Sequence, residues 1–189
     1  MYFCERLLTF IMNKKEAILN VALKLFSSQG FDNTSTSLIA KKAEVSEGLI
    51  FRHFINKEGL LNEILMEGFT KIKPYMDKIL NEEDPKKAIL LTLELPYTII
   101  SGHREFWRLQ NNMRLQNEKY REDFDRNTFF DPLDIKIRNA FKALYVPNPT
   151  IETETFFIFL NGLALYILEK DNSENPIELV KSIELKFIR

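Results

Sequence analysis

Apolar residues recur at helical spacing along nearly the whole chain. Ile18, Val21, Ala22, Leu25 and Phe26 fall at i, i+3, i+4, i+7 and i+8, a single stripe that predicts a helix over about residues 13–29. Gly30 then supplies a left-handed cap, and Phe31 is placed to fold back on the last turn. Thr34 reads as the N-cap of a short second helix carrying Leu38, Ile39, Ala40 and Ala43. Ala43-Glu44-Val45 makes a tight connection, and Ser46 caps a short third helix that turns Ile50 and Phe54 inward. Asn56 caps a long fourth helix from Lys57, in which Leu60, Leu61, Ile64 and Leu65 keep the spacing.

The run NEEDPKK at 81–87 interrupts this pattern, and Pro85 suits the first turn of a new helix. Pro96 is expected to kink or end that helix, because it lacks an N–H and crowds the preceding turn. Further helices are predicted at about 102–118, 120–145, 152–169 and 176–187. No strand-like alternation and no internal repeat is present. The pattern thus gives an all-α chain of about nine helices. A helix-turn-helix unit over 1–56 is followed by a helical bundle over 57–189, joined through the fourth helix. The first eleven residues read either as a start-site extension ahead of Met12 or as a lengthening of the first helix that covers part of the core.

Composition narrows what such a chain does. Hydrophobic residues make up 45% and charged residues 28%, the balance of a soluble globular protein. Sixteen Phe point to a core or pocket rich in flat apolar surface. One Cys, Cys4, excludes an intrachain disulfide and fits a reducing compartment; with only two His, a His/Cys zinc site is excluded too. The longest apolar run, Phe156 to Leu168, is broken by Asn161 and Gly162 and falls short of the roughly 20 residues of a membrane helix. The N-terminal run contains Glu5 and Arg6 and lacks a signal-peptide core, so a cytoplasmic protein is expected. Residues 1–57 hold 8 Lys+Arg against 5 Asp+Glu, the remainder 18 against 22. A basic front and an acidic back place any polyanionic partner at the N-terminal end.

Thr34 to Lys57 is the informative stretch. Two short helices joined by a short turn form a helix-turn-helix, whose second helix enters the major groove. The hydroxyls of Thr34, Ser35, Thr36, Ser37 and Ser46 cluster near two helix N-termini, where free N–H groups favour phosphate, and Arg52, His53 and Lys57 add donors. Gly48 costs roughly 1 kcal/mol inside a helix relative to Ala. It is explained by close approach to a sugar-phosphate backbone, or by tight packing of the two short helices.

These residues resemble the TetR family of bacterial regulators. The resemblance rests on Gly30-Phe31-x-x-Thr34-Ser35, Ile39-Ala40, Val45-Ser46-x-Gly48, Phe51-x-x-Phe54 and Lys57-Glu58, and covers about residues 14–65. It implies an all-helical homodimer with two reading heads, a ligand pocket in each C-terminal domain, and repression relieved by a small molecule. Carried over residue by residue, it places Thr34, Ser35, Ser46, Gly48, Phe51, Arg52, His53 and Lys57 at DNA, with Thr36, Glu47 and Leu49 beside them. Three positions depart from the family pattern. Glu47 repels phosphate unless it accepts from a cytosine amino group, Leu49 is suited to a thymine methyl, and Phe51 lacks the hydroxyl of a frequent Tyr. Plain core packing is the other reading of Phe51.

Residues 154–168 are apolar on nearly every helical face, so this helix needs cover on all sides. The resemblance implies that the last two long helices form the dimer interface; burial inside a monomer is the alternative. Tyr97, His103 and Trp107 bring hydrogen-bonding atoms into apolar surroundings and are candidates for an effector site, with Phe156 and Asn161; a helical core rich in Phe is the plainer reading of the aromatic positions. Asn161 equally suits a hydrogen bond across the dimer. No cofactor or metal is expected beyond an unidentified small-molecule effector. An enzyme is disfavoured: the six Gly are scattered, so no phosphate loop forms, and no His-x-x-x-His pair exists. The remaining rival is a helical protein-binding adaptor that keeps the fold without binding DNA.

Overall fold

A computed structural model describes residues 2–116, 118, 120, 128–170, 180 and 182. Among the described residues there are seven α-helices and no strand. They are α1 (Tyr2–Gln29), α2 (Thr36–Lys42), α3 (Glu47–Phe54), α4 (Lys57–Leu80), α5 (Pro85–Gln116), α6 (Asp131–Ala143) and α7 (Pro149–Glu169); a 3₁₀ turn, Thr128–Phe130, leads into α6. The all-α class holds, and the described residues account for seven of the about nine helices expected. Helix α1 begins at Tyr2, well ahead of the expected start near residue 13. The two helices expected between Pro85 and about residue 118 run on as α5, and they meet at a kink at His103, close to the expected start of the second, and not at Pro96. The helix expected over 120–145 starts at Asp131, residues 121–127 lying outside the described ones. Most of the helix expected over 176–187 also lies outside them.

The chain packs as two units, Met1–Thr70 with Glu105–Arg121, and Lys71–Arg104 with Glu122–Arg189. The first has its core in the predicted stripes. Ile18, Ala22 and Phe26 of α1, Ile39 of α2, Ile50 and Phe54 of α3, and Leu60, Leu61, Ile64 and Leu65 of α4 are all buried. Gly30 takes φ +88° and its N–H donates to the Phe26 carbonyl at 3.1 Å, while the Phe26 and Phe31 rings lie 5.1 Å apart. This is the cap with a folded-back aromatic that the sequence predicted. Asn56 caps α4 as expected, its Oδ1 accepting from the Gly59 N–H at 2.7 Å. Further along α4, a Cβ on Gly68 would stand 2.0 Å from the buried Phe106 ring, so only glycine lets that ring seat there.

Pro96 does not end α5. It sits buried within the helix, and the non-helical residue is His103 (φ −143°, ψ 42°). Ser101 and Gly102 precede the break, a pair that commonly marks kinks, and the Ser101 hydroxyl donates back to the Tyr97 carbonyl at 2.7 Å, a bond that bends helices. In the second unit, α6 lies along α7 with Phe141 and Phe156 edge to face at 5.8 Å, both fully buried. Arg104 closes the C-terminal end of α7, its Nη2 donating to the carbonyls of Ile167 at 3.0 Å, Leu168 at 2.9 Å and Lys170. A cation at that end also meets the negative pole of the helix dipole.

Helix α7 is long and apolar enough by length and composition to cross a membrane, more than the broken run Phe156–Leu168 led us to expect. Its inner face, Phe156, Leu160, Leu163 and Ile167, is packed within the unit. Its outer face is not covered: Ile151, Ile158, Leu165 and Tyr166 are exposed at helical spacing.

Candidate nucleic-acid interface

Helices α2 and α3 are joined by residues 43–46, with Glu44 at φ 54° and the Val45 N–H donating to the Ala40 carbonyl at 3.0 Å. The turn is as tight as predicted. The N-cap of α2 is Ser35, not Thr34. Ser35 has extended backbone (φ −88°, ψ 151°), and its hydroxyl accepts from the Leu38 N–H at 3.2 Å. Thr34 is 1% exposed, and its hydroxyl donates to the Gly30 carbonyl at 2.8 Å. Its side chain therefore holds the α1–α2 turn and does not face outward. Thr36 is also engaged within the protein, donating to Oε1 of Glu47 at 2.5 Å. That bond ties the first turns of the two short helices together and gives Glu47 a partner other than DNA. Ser46 occupies the N-cap position of α3 (φ −75°, ψ 146°) but makes no side-chain capping bond.

Gly48 is exposed, and a Cβ built on it meets no atom within 4 Å. Packing of the two short helices therefore does not require this glycine, and that reading is set aside. Phe51 is 45% exposed, which sets aside plain core packing as well. Arg52 is exposed beside it, and Leu49 is half-buried. His53 is half-buried, with its ring 5.8 Å from Phe54 and its Nε2 buried without a hydrogen-bond partner.

Lys57 is bound inside the unit. Its Nζ donates to the carbonyls of Phe31 at 3.0 Å and Thr34 at 3.2 Å and stands 4.3 Å from the Phe31 ring centroid. It clamps the first turn of α4 to the segment that leads into α2. Replacing Lys57 by alanine removes charged hydrogen bonds to two carbonyls, and we expect a loss of about 1.5–3 kcal/mol of stability in urea unfolding. An unchanged unfolding midpoint would mean that the clamp carries no energy.

Sequence reasoning passed over Ile55, which links α3 to α4. It has φ 68° and ψ −50°, is 82% exposed, and the Asn56 N–H donates across it to the Phe54 carbonyl at 2.8 Å. This is a three-residue γ-turn of the rare positive-φ kind, which for a β-branched residue costs of order 1–3 kcal/mol. No signal in the sequence marked it, because a β-branched residue is among the least expected at positive φ.

The candidate effector residues are divided. Trp107, in the first unit, packs edge to face on Phe106 at 5.5 Å, with its Nε1 buried and without a hydrogen-bond partner. Tyr97 and His103, in the second unit, are half-buried on α5. On α7, Phe156 is wholly buried in the core while Asn161 is exposed. Five residues of α-helix turn through about 140°, so these two face nearly opposite ways. Among the described residues no cluster of His, Cys, Asp and Glu is placed to hold a metal ion.

An all-α chain headed by a helix-turn-helix with an outward-facing third helix has the build of a DNA-binding regulator. Residues 18–64 match the family model of bacterial regulatory proteins, tetR family, so this segment is similar to the N-terminal domain of those regulators. The chain is 33% identical over 98 residues to the uncharacterized HTH-type transcriptional regulator YuxN of Bacillus subtilis, a match covering 51% of this chain and 34% of YuxN. It is 46% identical over 54 residues to QacR of Staphylococcus aureus, covering 29% of each. These matches thus span about a third or less of the curated relatives' length. Two solved structures share the fold over nearly the whole chain. FadR from Bacillus subtilis, solved in complex with stearoyl-CoA, aligns with a TM-score of 0.74 at 18% identity over 92% of this chain and 97% of its own. PfmR from Thermus thermophilus aligns at 0.70 and 19%, over 91% and 94%.

Proposed function

We propose that the chain is a dimeric, sequence-specific transcriptional regulator of the bacterial cytoplasm, a repressor released from its operator by a small-molecule effector. The observation that carries this reading is Gly48. A glycine in the first turn of a short helix, exposed and with open space around it, is costly to the free protein and useful only to a partner that comes close. The surrounding groups fit that partner: Ser35 and Ser46 at two helix N-termini, Arg52 exposed on α3, and a basic N-terminal segment. In this reading residues 1–56 form the head, and the part from residue 57 carries the effector and the partner subunit.

We assign the effector to α5 in the second unit, with Tyr97 and His103 as candidates. Trp107, in the first unit, is a separate candidate, and its unpartnered Nε1 favours a ligand with a hydrogen-bond acceptor. Phe156 is core and Asn161 lies on an exposed face, so neither is kept in that site. FadR in its complex with stearoyl-CoA is one instance of this fold holding a small molecule. Helix α4 contributes residues to both packing units, so an effector that shifts it acts on the head. Coupling of this kind is typically about 1–3 kcal/mol, or roughly 5–150-fold in affinity.

The test is a titration against labelled duplex, taken from upstream of the chain's own gene or selected from random sequences. Between 50 and 200 mM salt the affinity is expected to fall by about 10³-fold or more, as counterions are displaced from six or more phosphates. A shallow salt dependence with no preference among duplexes would replace this reading with the protein-binding adaptor.

A further inference from the structure

Helix α3 has eight residues. At 1.5 Å per residue it spans about 12 Å, which is the width of the major groove. When its N-terminal residues stand at base edges, the turn at its C-terminal end lies against a groove wall, built of deoxyribose and phosphate. Two large apolar side chains are exposed at that end. Phe51 is 45% and Ile55 82% exposed, and they are one turn apart, the Ile55 N–H donating to the Phe51 carbonyl at 2.9 Å. Ile55 stands at positive φ, where a β-branched side chain is disfavoured, and with its side chain in solvent no packing inside the chain compensates. A glycine there would fold more easily.

We propose that Ile55, with Phe51, seats against apolar surface of the duplex at the wall of the major groove, so that Ile55 is a further DNA-contacting residue. This rests on the DNA-binding reading above. The contact is apolar, and its source is deoxyribose or the methyl group of a thymine at the groove edge. Arg52, exposed between the two, is left to the adjoining phosphates.

The test compares wild type, Ile55→Gly and Ile55→Leu by duplex titration and thermal unfolding. Ile55→Gly is expected to bind about tenfold more weakly, with the salt dependence unchanged because no phosphate contact is lost. Its unfolding temperature should rise by roughly 2–4 °C as the positive φ is relieved. Ile55→Leu removes the β-branch, keeps the apolar surface, and should restore affinity to within about twofold. An equal loss on selected and random duplexes assigns the contact to deoxyribose. A loss confined to the selected duplex, and reproduced for wild type when thymine is replaced by uracil, assigns it to a methyl group. Ile55→Gly binding as tightly as wild type overturns the contact alone. A wild type that binds no duplex overturns the DNA-binding reading and this contact with it.

Discussion

Replacing Gly48 by leucine is expected to cut duplex binding by more than about 100-fold while leaving the free protein at least as stable. The two halves of this expectation have separate origins. Within the chain, a Cβ at Gly48 meets nothing within 4 Å and the residue is exposed, so a leucine side chain has solvent to extend into. Leucine is also the better helix former, by up to about 1 kcal/mol, so the unfolding temperature should hold or rise by roughly 2–4 °C. In the complex the same side chain stands between the first turn of α3 and the duplex. It holds the backbone away by a carbon chain's width and loses several short contacts together, which is why the loss exceeds that of any single hydrogen bond. Thermal unfolding and duplex titration of the same preparation separate the effects. A Gly48→Leu protein that binds as wild type does would mean that the first turn of α3 does not approach DNA, and the proposal would lose its main support.

What was legible in the sequence depended on whether the deciding interactions were local. The Gly30 cap, the folded-back Phe31, the Asn56 cap and the inward Ile50 and Phe54 all follow from neighbours a few residues apart, and each stands where the pattern put it. Pro96 was misread because a local penalty was set against packing that is not local. A proline inside a helix costs about 3 kcal/mol or more, whereas each fully buried Leu or Ile contributes roughly 1.5–3. Leu93, Leu95, Ile99 and Ile100 are buried around Pro96, enough to keep the helix going. Three residues of the candidate interface show the same limit. Thr34 and Thr36 resemble outward hydroxyls in sequence, and only the fold shows their protons already given to Gly30 and Glu47. Lys57 was read as a phosphate contact, and the clamp on Phe31 and Thr34 depends on a loop 23 and 26 residues away in the chain.

In the dimer proposed above, with the outer face of α7 taken as its seam, a charge on that face is expected to abolish association, and operator binding with it. Ile158 is 72% exposed within one subunit, with Ile151 and Leu165 about two helical turns to either side. Gly162, on the same face, has nothing within 4 Å of its Cβ position, which leaves room for a second backbone to come near. Ile158→Lys therefore costs the isolated subunit little. In a two-fold symmetric interface, however, every substitution occurs twice, and both lysines fall near the centre of one patch. An uncompensated charge buried there costs about 3–5 kcal/mol, so the dimer should weaken by at least about 10²–10³-fold. A helix-turn-helix dimer spans two half-sites about one helical turn apart, and a lone subunit engages only one of them. Sedimentation should show Ile158→Lys as a monomer at concentrations where wild type is dimeric, with an unfolded fraction no larger than before. A variant that stays dimeric would move the interface off this face of α7. A wild type that sediments as a monomer would remove the dimer altogether and leave the exposed isoleucines of α7 for a different partner.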